Sequence, residues 1–213
     1  MIRITPKRTA LVVWLLENVD KEISALQATR EARVLNYHAT YNALRDLTVA
    51  GYLRMTRTGR YQVSNAPALI HQIALAFPFR AKHIFGFFLG GDMITKMRRL
   101  NSMGTEVAFT LFAASELLAP YVHTNNVHAY VRESSITSLQ GRLLQSGGRR
   151  AELAEADLFL LPTSDESIFG FARDRGEFKI APMAVLLADL ESHGGLAREQ
   201  ADRIMKEWLS SEK

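Results

Sequence analysis

Four polar side chains recur at helical spacing in the stretch YHATYNALRD, where His38, Tyr41, Asn42 and Arg45 follow an i, i+3, i+4, i+7 pattern. Arginine can donate two hydrogen bonds to the edge of guanine, and asparagine can bond adenine in a bidentate manner. Tyrosine and histidine can bond phosphate or stack on sugar and base. Tyr37 flanks this set at the helix start, where free backbone N–H groups favour phosphate. A helix with this face is a candidate for insertion into the major groove of DNA.

A second basic element follows directly in the stretch GYLRMTRTGRYQVS, residues 51–64, which contains Arg54, Arg57 and Arg60 and no acidic residue. Apolar and polar residues alternate on both sides of the pair Thr58-Gly59, and this alternation predicts a two-stranded hairpin. Glycine tolerates the positive φ that a tight hairpin turn needs. We expect the hairpin to lie on the phosphate backbone, or in the minor groove, beside the helix.

Three helices position these two elements. The first begins at Thr5-Pro6 and fades near Asn18, and the second spans about Ser24–Arg33 with Leu26 facing inward. The third has Asn36 as its N-cap and ends at Gly51. Its apolar side points to the core and consists of Thr40, Ala43, Leu44 and Leu47. Three helices followed by a hairpin is the element order of a winged helix-turn-helix.

The charge distribution indicates two domains. Residues 1–65 contain ten Lys and Arg against five Asp and Glu, a net charge of +5, whereas the other 148 residues contain 16 against 17. Small and polar residues with one proline, SNAPAL at 64–69, occupy the point where this balance changes. We therefore expect a DNA-binding domain at 1–65 and a neutral domain at 66–213.

The second region is interpreted as mixed α/β, so that the whole chain belongs to the α/β (α+β) class. Its predicted strands are 84–88, 127–131, 158–161 and a short one at 178–180. Its predicted helices are 67–76, 92–100, 107–118, 136–145, 182–190 and 196–209.

Sites for catalysis, metals or cofactors find little support in the sequence. There is no cysteine, and no phosphate-binding loop or serine-nucleophile motif occurs. One catalytic alternative combines Asp157 with Glu177 and Lys179, because two acids and a lysine can gather Mg²⁺ around a scissile phosphate. We expect no enzyme activity, no metal and no cofactor, and keep a Mg²⁺-dependent nuclease as the lesser alternative.

Several segments of the second region resemble the C-terminal region of AbiEi-type antitoxins, which are also transcriptional regulators. They are FPFRAKHIFGFFLGG, EVAFTLFAASELLAPYVHTNNVHAYV, LFLLPTSDESIFGFARDRGEFKIAPMAVLLADL and AREQADRIMKEWL. The resemblance implies the autoregulating antitoxin of a type IV toxin–antitoxin (abortive infection) pair. Such a protein would bind inverted repeats in its own promoter and counteract a nucleotidyltransferase-like toxin.

The sequence thus predicts a sequence-specific repressor of double-stranded DNA. The alternative from another class is a winged helix used for protein interaction, since a fold does not settle a function. With no apolar run of membrane-spanning length and no leader-like N-terminus, we expect a cytoplasmic protein with no membrane partner.

Overall fold

The computed structural model describes residues 5–32 and 36–211. The predicted end of the second helix at Arg33, and most of the turn before the third helix, lie outside the described residues. The helices are α1 (Pro6–Glu17), α2 (Ala25–Ala32), α3 (Tyr37–Val49), α4 (Ala66–Ala76), α5 (Met93–Asn101), α6 (Leu111–Glu116), α7 (Ile136–Gln145), α8 (Ser167–Gly170), α9 (Met183–His193) and α10 (Leu196–Ser211). The strands are β1 (Leu53–Met55), β2 (Tyr61–Val63), β3 (Phe85–Phe88), β4 (Val107–Thr110), β5 (Val127–Arg132), β6 (Arg149–Arg150), β7 (Leu158–Thr163), β8 (Arg173–Arg175) and β9 (Phe178–Ile180).

Helices α1 to α3 and the hairpin β1–β2 form one packed unit. The hairpin is antiparallel, with Arg54 opposite Gln62 and Met55 opposite Tyr61. Ile23, just before α2, forms a single antiparallel β-bridge to β2, because it exchanges both backbone hydrogen bonds with Tyr61 at 2.8 Å. This bridge holds the start of α2 against β2 near the turn of the hairpin.

The second region is built on a seven-stranded mixed sheet with the order β6-β3-β7-β5-β4-β9-β8. Strands β5 and β7 are parallel over six residue pairs and form its centre, while β4 is antiparallel to β5 and parallel to β9. Every residue of β4 and the first five residues of β5 are buried, as expected for strands covered on both faces. The presence of both helices and a mixed sheet confirms the α/β class.

Helix α1 joins the two regions. Its residues 11–16 are all buried, with Trp14 the most exposed of them at 3%. A helix that is apolar all round must be covered on every side, and α1 is enclosed by α2 together with α4 and α9. The Glu17 carboxylate completes the junction by accepting a hydrogen bond from the Met183 backbone N–H (2.8 Å) and pairing with the Arg173 guanidinium (2.6 Å). The division into domains at residue 65 stays a prediction, but the described parts of the two regions share one continuous core.

The helix predicted over 107–118 is wrong in its first third. Residues 107–110 form β4, and the helix α6 begins only at Leu111, whose φ of +49° makes it the one non-glycine residue with positive φ in 5–32 and 36–211. A sharp left-handed turn at a buried leucine has no signature in local composition. The sequence also gave no signal for the short elements β6, β8 and α8.

Helix α2 corrects a second expectation. Leu26 is 48% exposed, and α2 packs inward through Ala25, Ala28 and Ala32 instead. Small residues allow α2 to lie close to its neighbours, which leaves the longer leucine on the outer side. Over the described part of the chain, we find no helix with the length and apolar character needed to cross a bilayer.

Candidate nucleic-acid interface

The capping of α3 sets the orientation of its polar side. The Asn36 side-chain oxygen accepts a hydrogen bond from the Ala39 N–H at 2.9 Å, which satisfies one of the free donors of the first turn. The predicted inward side is confirmed, because Thr40, Ala43, Leu44 and Leu47 are all buried. Helical geometry then turns the other side away from the core.

That other side is open to solvent. His38 and Arg45 are exposed and Asn42 is half-buried, while Tyr37 and Tyr41 are 54% and 41% exposed. The rings of Tyr37 and Tyr41 stack one turn apart, with centroids 6.4 Å apart and planes at 23°. The stacked tyrosines thus present two hydroxyl groups next to a guanidinium and an imidazole.

Tyr61 connects this side of α3 to the hairpin. It lies in β2 and is only 3% exposed. Burial raises the pKa of Tyr61, the nearby Tyr41 and Tyr37 raise that pKa further, and Arg45 opposes them. Groups that influence one another in this way are close, so the polar side of α3 and the inner face of the hairpin meet at Tyr61.

The hairpin turn carries two of its arginines into solvent. The N–H of Gly59 bonds the Thr56 carbonyl at 3.0 Å, and Gly59 takes a φ of +72°, the left-handed conformation that favours glycine. Arg57 and Arg60 flank this turn and are exposed. Met55 lies beyond the end of the hydrophobic core and is 57% exposed, so it borders the same surface.

Arg54 occupies a different position from the other two arginines. It alternates with Leu53 and Met55, so it points to the face of the hairpin opposite the one on which Tyr61 packs. Its guanidinium donates twice to the Gln62 side-chain oxygen, at 2.7 and 3.2 Å, and Gln62 in turn donates to the Asp20 carbonyl at 3.1 Å. Arg54 is exposed but held along the strand, away from the α3 side.

An acidic residue that the sequence did not associate with the hairpin lies at its turn. Glu22 is distant in sequence, yet its Oε2 atom accepts hydrogen bonds from the hydroxyl groups of Thr58 (2.9 Å) and Thr56 (3.3 Å). The bridge between Ile23 and Tyr61 brings it there. The turn therefore carries one negative charge among its positive ones.

The arginines of the interface are otherwise free of acidic partners. Among residues 5–32 and 36–211, no salt bridge involves Arg45, Arg54, Arg57 or Arg60. Asp46, the one acid in α3, bonds Arg8 of α1 at 3.0 Å instead. We call Tyr37, His38, Tyr41, Asn42, Arg45, Arg57 and Arg60 the basic face, whereas Arg54 lies on the outer face of the hairpin.

The alternative nuclease site is not assembled. Asp157 precedes β7 at one end of the sheet, whereas the register places Glu177 level with Arg132 and Thr163 at the other end. The two acids are separated by roughly 20 Å along the strands and about 14 Å across them.

Each member of that set has a structural partner instead. The Asp157 carboxylate accepts the N–H groups of Leu89 and Gly90 and the buried Lys96 ammonium. Glu177 pairs with Arg98 and Lys179 with Glu106. Among the side chains that the structure describes, no group of three or more His, Asp or Glu could hold a metal ion.

Comparison of the chain with protein-family models, with characterised proteins and with solved structures finds no match.

Proposed function

We propose that this chain binds double-stranded DNA through the basic face, with α3 in the major groove and the hairpin turn on the adjacent backbone. In this arrangement the N-terminal unit acts as a winged helix-turn-helix. The observation that carries the proposal is that Tyr41 and Arg45 are exposed and Asn42 is half-buried on one side of α3, while Arg57 and Arg60 are exposed at the hairpin turn of the same unit, and that neither Arg45, Arg57 nor Arg60 has an acidic partner among the described residues. Unpaired guanidinium groups are available for phosphate, and Asn42 and Arg45 supply the donors for base edges.

The basic face divides into residues for position and residues for sequence. Arg57, Arg60 and the tyrosine hydroxyl groups are suited to phosphate, which fixes the register of the protein on the duplex. Asn42 and Arg45 lie further along α3 and are suited to base readout. Arg54 is placed on the outer face of the hairpin and contributes to the electrostatic attraction rather than to base contacts.

The finer proposal is an autoregulating repressor that acts as the antitoxin of a type IV toxin–antitoxin pair. It rests on the resemblance of the second region to AbiEi-type antitoxins. The same resemblance implies that the operator is DNA with inverted repeats. A nucleotidyltransferase-like protein is the expected functional partner.

The test of DNA binding starts with selection of bound duplexes from a random pool, followed by anisotropy titrations at several salt concentrations. We expect the double variant Arg57→Ala/Arg60→Ala to bind all duplexes more weakly. If both arginines neutralise phosphates, the log–log salt slope loses about 1.8 in magnitude. Asn42→Ala is expected to cost about 1–3 kcal/mol on the selected duplex and to relax the preference for it.

A matched control removes two charges elsewhere. Arg198→Ala/Lys206→Ala changes two exposed residues of α10 and should leave the binding of selected duplexes unchanged apart from a small long-range effect. Equal weakening by both double variants would show that the basic face is not the contact surface. A full chain that selects no duplex would overturn the proposal as a whole.

A second candidate, protein recognition through the same surface, is favoured by one observation. Tyr37, Tyr41 and Met55 together expose a large aromatic and apolar area, and such residues are enriched at protein interfaces. Binding to a protein partner that depends little on salt, with no duplex selected, would favour this candidate over DNA binding.

A further inference from the structure

A buried polar network lies inside the second region, far along the chain from the basic face. Asp189 of α9 is 1% exposed and accepts three groups: the Lys82 ammonium at 2.9 Å, the Tyr130 hydroxyl at 2.7 Å and the Thr110 hydroxyl at 2.8 Å. Lys82 also donates to the Tyr130 oxygen. Burial, together with the neighbouring Asp189 carboxylate, raises the pKa of Tyr130 well above its ordinary value. The phenol therefore stays protonated and donates to Asp189.

This network opens on one side to a cavity of about 340 Å³. Most of its wall is apolar, with Ile73, Phe77, Leu161, Ile168 and Val185 among the lining residues. Its volume is at the lower end of the range for small-molecule pockets, which combine an apolar wall with a few fixed polar groups. The Lys82 side chain is 21% exposed and lines the cavity.

Two polar groups facing the cavity have unused hydrogen-bonding capacity. An ammonium group has three donors, and Lys82 uses two of them, on Asp189 and Tyr130. Asp165 also lines the cavity. Its Oδ1 atom accepts hydrogen bonds from the N–H and the hydroxyl of Ser167, the first residue of α8, and its Oδ2 atom has no partner among the described residues. Lys82 thus offers a free donor and Asp165 a free acceptor, and Thr9, His83, Thr163 and Ser164 add further polar groups to the lining.

The charges of Lys82, Asp189 and Asp165 determine which class of ligand the cavity can bind. The Lys82 charge is already balanced by Asp189, so a carboxylate ligand would face the additional negative charge of Asp165. A cationic ligand would approach the Lys82 ammonium. A neutral molecule with one carbonyl and one N–H avoids both penalties and satisfies both free groups.

Backbone strain lies next to the same network. Thr110 is followed by Leu111, the buried residue with φ of +49° described above. Residues held in unfavourable φ/ψ regions are concentrated at binding and catalytic sites, where the surrounding structure maintains them. Here the turn at Leu111 places Thr110 so that its hydroxyl group reaches Asp189.

From these observations we infer that the cavity between Lys82 and Asp165 is a binding site for a small, uncharged, largely apolar secondary amide. Its carbonyl oxygen accepts a hydrogen bond from the Lys82 ammonium, and its N–H group donates to Asp165. The apolar body contacts Ile168 and Val185. The site is separate from the basic face, so this inference does not depend on DNA binding.

The test is a titration of the uniformly ¹⁵N- and methyl-labelled full chain with N-benzylacetamide, followed by NMR. We expect saturable shifts of the Ile168 and Val185 methyl groups and of the Lys82 backbone amide, with a Kd on the order of 1 mM. The control ligand N-benzyl-N-methylacetamide lacks the N–H donor and should bind about tenfold more weakly, since a hydrogen bond to a charged group is lost.

Two protein variants locate the site. Lys82→Met removes the donor, and a loss of about tenfold in affinity is expected, but this variant also leaves Asp189 without its cation and is at risk of unfolding. Ala76→Phe avoids that risk, because Ala76 is an exposed lining residue at the end of α4. A phenyl ring at this position obstructs the cavity, so this variant should show no saturable shifts. Lys206→Met on α10 is the matched control and should bind as the unmodified chain does.

Saturable methyl shifts that are lost in Ala76→Phe and retained in Lys206→Met establish the site. The absence of saturable shifts through the millimolar range, or shifts that survive Ala76→Phe, would overturn the inference and leave a cavity filled by solvent only.

Discussion

Replacing Glu22 by glutamine should strengthen DNA binding, which is the opposite of what most substitutions at an interface do. Glu22 is exposed and touches the hairpin turn through its bonds to Thr56 and Thr58. If Arg57 and Arg60 lie on phosphates, the Glu22 carboxylate is held close to the same phosphates and repels them. Glutamine retains an acceptor oxygen for the two threonines and removes only the charge.

The size of the effect follows from counterion release. If Glu22 cancels the neutralisation of one phosphate, the variant has a log–log salt slope steeper by about 0.9. The ratio of its DNA affinity to that of the unmodified chain should then fall by about 3.5-fold as the salt concentration rises from about 50 to about 200 mM. The assay is an anisotropy titration of one selected duplex at four or more salt concentrations.

The matched control is Glu207→Gln, which removes an exposed carboxylate of α10 paired with Arg203 and should leave the slope unchanged. Urea denaturation of both variants should give the midpoint of the unmodified chain, because both sites are exposed. A Glu22→Gln chain whose affinity and slope equal those of the unmodified chain would refute the placement of the hairpin turn on the phosphate backbone.

Two further predictions concern stability. Glu17→Ala should lower the free energy of unfolding by about 3 kcal/mol, because it leaves Arg173 and the Met183 N–H without their buried partner. Glu17→Gln should lower it by less, since the glutamine oxygen can still accept the hydrogen bond from Met183. Equal losses for the two variants in urea denaturation would contradict this account of the junction. Burial lowers the pKa of His128 to about 3, so the unfolded chain binds the extra proton and stability falls as pH drops from about 6.5 towards 3, by roughly 3 kcal/mol at pH 4. His128→Phe retains the stacking on Phe159 and should remove that part of the pH dependence. Denaturation curves at pH 7 and pH 4 would measure this as a smaller difference in the free energy of unfolding. If that difference is unchanged, the acid sensitivity comes from other groups.

Amphipathic periodicity was sufficient to predict the elements that carry it. The inward side of α3, its Asn36 cap and the hairpin register around Gly59 all follow from local residue types, and each is present in the structure. In the second region, helix 136–145 and strand 178–180 are bounded as predicted. The strand segments alternate cleanly, α3 begins with a side-chain cap, and α7 has apolar residues at helical spacing.

The misplaced elements depend on contacts that are distant in sequence. Residues 107–114 are apolar except for Thr110 and show no clear period, and only the pairing of β4 with β5 and β9 decides that the first four are extended. Strands β6 and β8 consist of charged residues at the sheet edges, Arg149–Arg150 and Arg173–Arg175, where charge protects an open edge and hides the strand signal.

In the candidate interface, too, some features follow from local sequence and others depend on contacts distant in sequence. Exposure of the α3 side chains could be derived from spacing alone. The approach of Glu22 to the hairpin turn could not, because it requires the bridge between Ile23 and Tyr61. The position of Arg54 on the outer face was implicit in the strand alternation, but its bond to Gln62 became evident only from the register.

The enclosure of α1 has a consequence for how the chain matures on the ribosome. Its apolar surface is completed by α9, and the contact between Glu17 and Met183 spans 166 residues. At the usual rates of synthesis, the ribosome needs roughly 8 to 33 s to cover that distance. During this interval the nascent N-terminal third must keep leucine and valine side chains uncovered, so a chaperone that shields emerging chains would raise the yield of native protein more than one that acts after release.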